Sequence, residues 1–280
     1  YGFIIGHPHS DLKGGYTRIS GTFNQSNDYG RFLMLMIIMG AALYPHVARK
    51  WQRLLVVMLG LSAVFLFFTY TRSALVATAA GLFIVGLVQS KRLLAALIIA
   101  GFAGLLLVPS LSGRFSDLTQ YQSKQLTQSG GSNGGNTLAW RLSYWTEVLP
   151  LANSNPVTGI GLNETKYNTS QAKQPHNDFI RAYVETGLVG LFAYVAVLFS
   201  LVRVGWRAVK RTKRGTFERG VGAGFLGCAA AFIAVSLVAN VTSNVVNLWY
   251  FIAFAACASA VVRMADRKDA TAILPAPGPG

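Results

Sequence analysis

Pro175-His176-Asn177-Asp178 runs directly into Phe179-Ile180-Arg181-Ala182-Tyr183-Val184-Glu185-Thr186-Gly187-Leu188-Val189-Gly190, and the chain then stays mostly apolar through Val202. A helix needs about 20 predominantly apolar residues to cross the hydrocarbon core of a bilayer. The run 179–202 meets that requirement, so it reads as a membrane span entered from a polar loop. That loop holds a titratable imidazole at the membrane surface. An unperturbed histidine, with a pKa of about 6.5, takes and returns a proton near neutral pH, which suits acid–base chemistry beside a lipid-borne substrate. A lone interfacial histidine also serves as a helix-terminus or hydrogen-bonding residue, so the rest of the chain must decide between the two readings.

The composition extends the membrane reading to the whole chain. Of 280 residues, 52% are hydrophobic and only 12% charged, against roughly 25% charged in an ordinary soluble domain, and the mean hydropathy is +0.41. Apolar runs near the bilayer-crossing length fall at 32–48, 54–70, 73–89, 93–108, 179–202, 221–239 and 248–262. The predicted fold class is therefore an all-α polytopic membrane protein with about seven transmembrane helices. Residues 1–262 form one membrane domain, interrupted by a large external loop, 109–178, that contains short helices. Residues 263–280, ending in an Ala/Pro/Gly-rich stretch, are expected to be a disordered tail on the cytoplasmic side.

A net charge of +15 raises nucleic acid as a partner, but the distribution of the cations points elsewhere. Arg49, Lys50 and Arg53 follow the first run, Lys91 and Arg92 the third, and Arg203, Arg207, Lys210, Arg211, Lys213, Arg214 and Arg219 the fifth. Arg263, Arg267 and Lys268 follow the last. Every second connection is basic, which places those connections in the cytoplasm and the segment 1–31, the turn 69–73, the loop 109–178 and the turn 240–247 on the opposite side. No initiator Met and no signal peptide open the chain, and it is expected to be the C-terminal portion of a longer membrane protein. Cys228 and Cys257 both lie inside predicted spans and are too few for a metal cage.

The external loop has internal structure. Its segment 129–136 is flexible by composition, whereas 137–149 spaces Leu138, Leu142, Trp145 and Leu149 near the helical period, with Pro150 to end it. Trp140, Tyr144 and Trp145 favour headgroup depth, so this short helix is expected to lie on the membrane with Arg141 near the interface. Asn155-Pro156-Val157-Thr158-Gly159-Ile160-Gly161 lacks both the dinucleotide-binding glycine spacing and a Gly-Lys-Ser/Thr ending, and its glycines read as turn residues.

The external side gathers Arg18, Arg31, Arg72, Arg114, Arg141, Lys166, Lys173 and Arg181 together with His176. Arg72 sits in Thr69-Tyr70-Thr71-Arg72-Ser73, a connection with almost no loop, on the side where a cation is disfavoured. Guanidinium groups bind phosphate oxygens through paired, charge-assisted hydrogen bonds, and several together match a diphosphate. Contacts to lipid headgroups, or ion pairs to Asp28, Asp117 or Glu147, are the alternative use of each arginine. Transfer from a diphosphate-linked sugar needs a stabilised leaving group and a base for the acceptor hydroxyl, and arginines with a neutral histidine supply both. The sequence has no Asp-x-Asp pair, no HExxH, no Cys/His cluster and no Gly-x-Ser-x-Gly elbow, so metal-dependent and serine-based chemistries find no motif, and no cofactor is expected.

In sequence order, four motifs resemble the O-antigen ligase and O-antigen polymerase superfamily of bacterial envelope glycan transferases: Arg18-Ile19-Ser20-Gly21-Thr22-Phe23-Asn24-Gln25-Ser26-Asn27; Thr71-Arg72-Ser73; Arg141 with Trp145 and 155–161; and His176-Asn177-Asp178-Phe179 with Glu185-Thr186-Gly187-Leu188-Val189-Gly190. Thr71 and Ser73 stand where the family has Ser and Gly. The resemblance implies a metal-independent glycosyltransferase in the bacterial inner membrane, active on the periplasmic face. It would move a glycan from undecaprenyl diphosphate to lipid A-core or another glycan acceptor. By motif, His176 is the catalytic base, Arg18, Arg72 and Arg141 contact the diphosphate or glycan, and Asn177 and Glu185 hold positioning roles. A polysaccharide polymerase of the same superfamily is the nearest alternative, and a protein-glycosylating member a further one. From other classes come a transporter component, disfavoured by the lack of intramembrane carboxylates in this chain, and a structural membrane subunit.

Overall fold

The computed structural model describes residues 12–13, 16–90, 94–95 and 138–273, with side chains for 18–90, 94–95 and 140–268. A two-residue antiparallel pair, β1 (Leu12–Lys13) with β2 (Tyr16–Thr17), precedes the helices. These are α1 (Ser26–Leu43), α2 (Arg49–Phe68), α3 (Arg72–Gln89), α4 (Leu138–Val148), α5 (Asp178–Lys210), α6 (Phe217–Ser236) and α7 (Val245–Ile273), with short 3-10 turns at Tyr44–His46, Leu149–Ser154 and Glu164–Lys166.

Among the described residues, five helices are long and apolar enough to cross a membrane: α2, α3, α5, α6 and the stretch Val245–Lys268 of α7. They coincide with five of the seven expected spans. The expected span 32–48 falls on α1, which starts earlier, at Ser26, so that Asn27, Asp28 and Arg31 occupy its first turns and dilute the apolar run. The expected span 93–108 lies outside the described residues apart from 94–95, as do 109–137 of the long loop. The tail expectation needs correction as well. α7 continues to Ile273, past the point where disorder was expected to begin, because its Ala-rich sequence favours helix and Asp266 pairs with Arg211 at 3.4 Å.

α6 is the central helix. In its spanning window 78% of residues are buried, against 6% in α2, which leaves most of α2 facing outward. Lipid tails are as apolar as side chains, so helix association there rests on close packing, which small residues permit. A Cβ on Gly227 would come within 2.7 Å of the Gly81 carbonyl oxygen of α3, and one on Gly224 within 2.7 Å of Met39 Sδ of α1. Toward α7, Phe232 stacks on Phe251 with ring centroids 4.3 Å apart. At the basic end, Arg219 donates to the Val209, Thr212 and Val88 carbonyls and Gln89 to the Ala42 carbonyl, satisfying backbone groups that helix ends leave open.

α5 is not the uninterrupted helix that the apolar run suggested. At Gly187 the backbone turns to φ 66°, ψ −166°, splitting the helix into a short segment and a long one. The segment 156–161 fills the break: Ile160 N donates to Val184 O at 3.0 Å and Gly161 N to Glu185 O at 3.0 Å, while Leu188 N donates to Pro156 O at 3.0 Å and Val189 N to Val157 O at 3.3 Å. Four backbone groups at the break thus find partners in the segment, as irregular backbone at membrane depth requires. Two glycines allow the contact. A Cβ at Gly159 would lie 2.4 Å from the Glu185 carbonyl carbon, and one at Gly187 2.2 Å from Val157 O.

Candidate functional site

His176 sits at φ 52°, in the left-handed region, a conformation that costs a non-glycine residue about 1–2 kcal/mol and persists only where neighbours over-determine it. Both neighbours are tied. On one side Trp145 Nε1 donates to the Pro175 carbonyl at 2.7 Å. On the other, Asn177 caps α5, its Oδ1 accepting from Phe179 N at 2.9 Å and Ile180 N at 3.1 Å, while its Nδ2 donates to Leu237 O of α6 at 3.0 Å. The Trp140 ring meets the imidazole edge-on at a centroid distance of 5.7 Å.

The short helix α4 forms where it was expected, but its aromatic face is turned inward. Trp140 Nε1 donates to Gln171 Oε1 at 2.8 Å. Tyr144, 1% exposed, donates to the Lys173 carbonyl at 2.5 Å and shares a hydrogen bond with Thr169. Buried indole and phenol groups need partners, and the 169–175 loop offers carbonyls and hydroxyls where a lipid interface would offer headgroups. Burial raises the Tyr144 phenol above its ordinary pKa, which keeps it a neutral donor.

The start of α5 is fastened to the α6–α7 connection through its acids. Asp178 accepts from Val241 N at 2.9 Å, Thr242 N at 3.4 Å and Thr242 Oγ1 at 2.6 Å. Glu185, 2% exposed, pairs with Arg181 at 3.0 Å, and its Oε1 is buried with no hydrogen-bond partner among the described residues. Arg181 also bonds Ser243, whose hydroxyl donates to Gln174 Oε1 at 3.0 Å, two residues before His176. Both carboxylates therefore lie buried in the short first segment of α5, Asp178 at its first residue.

The arginines divide into two groups. Arg18, 7% exposed, is fixed at a corner: Nε donates to Thr69 O at 2.8 Å, and one terminal nitrogen to Asn27 Oδ1 at 2.7 Å and Thr71 Oγ1 at 3.2 Å. Arg72 follows that corner, exposed on the first turn of α3. Arg141, beside Trp140 on α4, instead lies within electrostatic reach of Arg31 of α1; burial and then this like charge hold the Arg141 guanidinium below its usual pKa. Arg31 forms an ion pair with Asp28 at 3.1 Å and lies within electrostatic reach of Asp178. The Nε atoms of both Arg31 and Arg141 are buried with no partner among the described residues. A buried cationic N–H without a partner is costly, and an anionic ligand would satisfy each of the two.

The structure thus brings together His176, Asn177, Arg141 and, through Arg181 and Gln174, Glu185. Arg18 and Arg72 gather at the neighbouring corner where α1 meets the α2–α3 turn. Arg31 belongs to the first group, although the motifs assigned it no part. The one signal for it in the sequence was a cation on the external side of an apolar run. Asp178 stood in the His176 motif without a role of its own, and Gln174 and Ser243 gave no signal, because their roles depend on contacts between α5 and the connection 237–244.

A profile of the O-antigen ligase family matches residues 56–195, half of the chain. The matched stretch holds Arg72, Arg141, the 155–161 segment, His176, Asn177 and Glu185, while Arg18 and Arg31 precede it. A search among curated proteins found no match. With five helices among the described residues long and apolar enough to cross a membrane, and a family match that contains the His176 loop, the chain belongs to the O-antigen ligase family.

Proposed function

We propose that the protein transfers a glycan from undecaprenyl diphosphate to lipid A-core on the periplasmic face of the bacterial inner membrane. The observation that carries this reading is that Arg31 and Arg141, within electrostatic reach of each other, each hold a buried Nε with no partner among the described residues, and that Trp140, next to Arg141, packs against His176. A leaving diphosphate suits that pair. In this mechanism His176 takes the proton from the acceptor hydroxyl, and the oxygen attacks the anomeric carbon. The bond from that carbon to the diphosphate breaks, and the departing electron pair settles on the diphosphate, whose charge the guanidiniums offset. Arg72 reaches the diphosphate or glycan from the adjoining corner, and Arg18 acts from behind by holding the 69–71 turn. Asn177 positions His176 through the α5 cap. Glu185 positions it through Arg181, Ser243 and Gln174.

The reading is tested by deleting the full-length gene and complementing with wild type or His176→Ala, then resolving lipopolysaccharide on a gel beside an assay of carrier-linked glycan. Loss of capped lipopolysaccharide with long polymer retained on the carrier is the result expected of a ligase lacking its base. Core capped by a single repeat would instead identify a polymerase. An unchanged profile in both strains would overturn the lipopolysaccharide assignment.

A further inference from the structure

Away from the arginines, the turn after α4 and the turn beginning at Ile160 enclose an open groove of about 520 Å³, within the 300–1,000 Å³ usual for small-molecule sites. Its polar lining is a hydroxyl, two amides and a carboxylate, from Ser154, Asn155, Asn168 and Glu164, and its apolar lining comes from Leu151 and Ile160. No arginine or lysine lines it among the described residues, so it does not suit a diphosphate. Vicinal sugar hydroxyls, by contrast, donate to a carboxylate and pair with amides, while the C–H face of a pyranose covers aliphatic side chains. The carboxylate further disfavours acidic sugars by like-charge repulsion and favours neutral or amine-bearing ones.

The groups are held in place. Asn168 Nδ2 donates to the Glu164 carbonyl at 2.9 Å and to Glu164 Oε2 at 3.1 Å, which orients the carboxylate. Ser154 Oγ donates to Leu151 O at 3.0 Å, which leaves its lone pairs free to accept. Gly161, at φ +115°, leaves room for Glu164 to fold over it, since a Cβ there would come within 3.0 Å of Glu164 Cγ. Hydrogen bonds from Ile160 N and Gly161 N to Val184 O and Glu185 O fasten the groove to the short first segment of α5, which starts two residues after His176. A sugar in the groove is therefore held in fixed relation to the base.

We propose that this groove is a glycan subsite for an uncharged or amine-bearing sugar residue of a substrate of the transfer. The proposal rests on the glycan-transfer reading above, and its two possible sources are the carrier-linked donor and the acceptor. The test uses the full chain in nanodiscs and saturation-transfer NMR with N,N′-diacetylchitobiose and digalacturonate as probes. Neither probe carries lipid or diphosphate. Saturation should reach diacetylchitobiose and fall about fivefold or more in the Asn155→Ala/Asn168→Ala variant, with the thermal midpoint unchanged to show that the fold is intact. Digalacturonate should be weak on wild type and gain signal on Glu164→Gln. Absence of transfer to diacetylchitobiose, equal transfer in wild type and double variant, or equal signal from digalacturonate on wild type would overturn the proposal. In a transfer assay, a raised KM for donor assigns the groove to the donor glycan and a raised KM for acceptor assigns it to the acceptor. Unchanged KM for both would overturn it. Failure of the transfer reading shows separately, in His176→Ala.

Discussion

Replacing Gly187 with Ala should release the 156–161 segment from α5. Gly187 occupies a backbone region essentially closed to other residues, where strain reaches about 3 kcal/mol. Its added Cβ would also meet Val157 O at 2.2 Å and Val157 C at 2.3 Å, both backbone atoms that no side-chain rotation can move aside. The variant has a way out: residue 187 can return to helical angles, which re-forms the Leu188-to-Val184 and Val189-to-Glu185 bonds within α5. That recovers two hydrogen bonds while four across the break are lost. At about 1 kcal/mol each, the net loss of about 2 kcal/mol is smaller than strain and overlap together, so the stitched arrangement no longer wins. The assay is hydrogen exchange of the full chain in nanodiscs, read on peptides covering Ile160 and Gly161. Loss of that advantage of about 2 kcal/mol corresponds to roughly thirtyfold faster exchange of those two amides. Unchanged exchange there would refute the reasoning.

Gly81→Val and Gly227→Val should lower the amount of folded protein in membranes, since each Cβ meets the opposing backbone at 2.8 Å and 2.7 Å, whereas Gly60→Val, with nothing within 4 Å, should leave it unchanged; quantitative blots of membrane fractions check both. Trp145→Phe removes the donor to Pro175 O, a loss of about 1–3 kcal/mol, and should lower kcat with donor KM near wild type in steady-state kinetics. Arg31→Lys and Arg141→Lys keep the charge but lose the bidentate fork, so each should raise donor KM about tenfold or more. Tyr144 holds its proton more tightly in the native state than in the unfolded chain, so its contribution to stability is complete below about pH 10 and is lost as pH rises through the raised value. Melting curves at increasing alkaline pH should show that loss in wild type and not in Tyr144→Phe.

Apolar run length made the spans legible, because crossing a bilayer constrains length and composition along the chain itself. It overstated α1, whose polar first turns share a helix with the apolar run, and it hid the break in α5. The break depends on Gly187 meeting a loop more than two dozen residues earlier, and a glycine within an apolar run carries no sign of such a meeting. The glycines at 159 and 161 were readable as turn residues, but not their use in replacing helix hydrogen bonds. Periodicity located α4 correctly, yet the interfacial preference of Trp and Tyr misdirected its aromatic face. Those rings have polar tips that a loop satisfies as well as a headgroup does. His176, Asn177 and Arg141 were legible from motifs, whereas Arg31 emerges only from the fold, which brings it within electrostatic reach of Arg141 and Asp178. Asp178 likewise acts across 63 residues of chain, on Val241.

The most direct test of the central claim separates donor binding from turnover in purified protein. With undecaprenyl-diphosphate-linked glycan and lipid A-core in nanodiscs, His176→Ala should retain donor binding while kcat falls about a hundredfold or more. Arg31→Met/Arg141→Met should lose donor binding itself. Near-wild-type turnover in His176→Ala, or undiminished donor binding in the double arginine variant, would contradict the account.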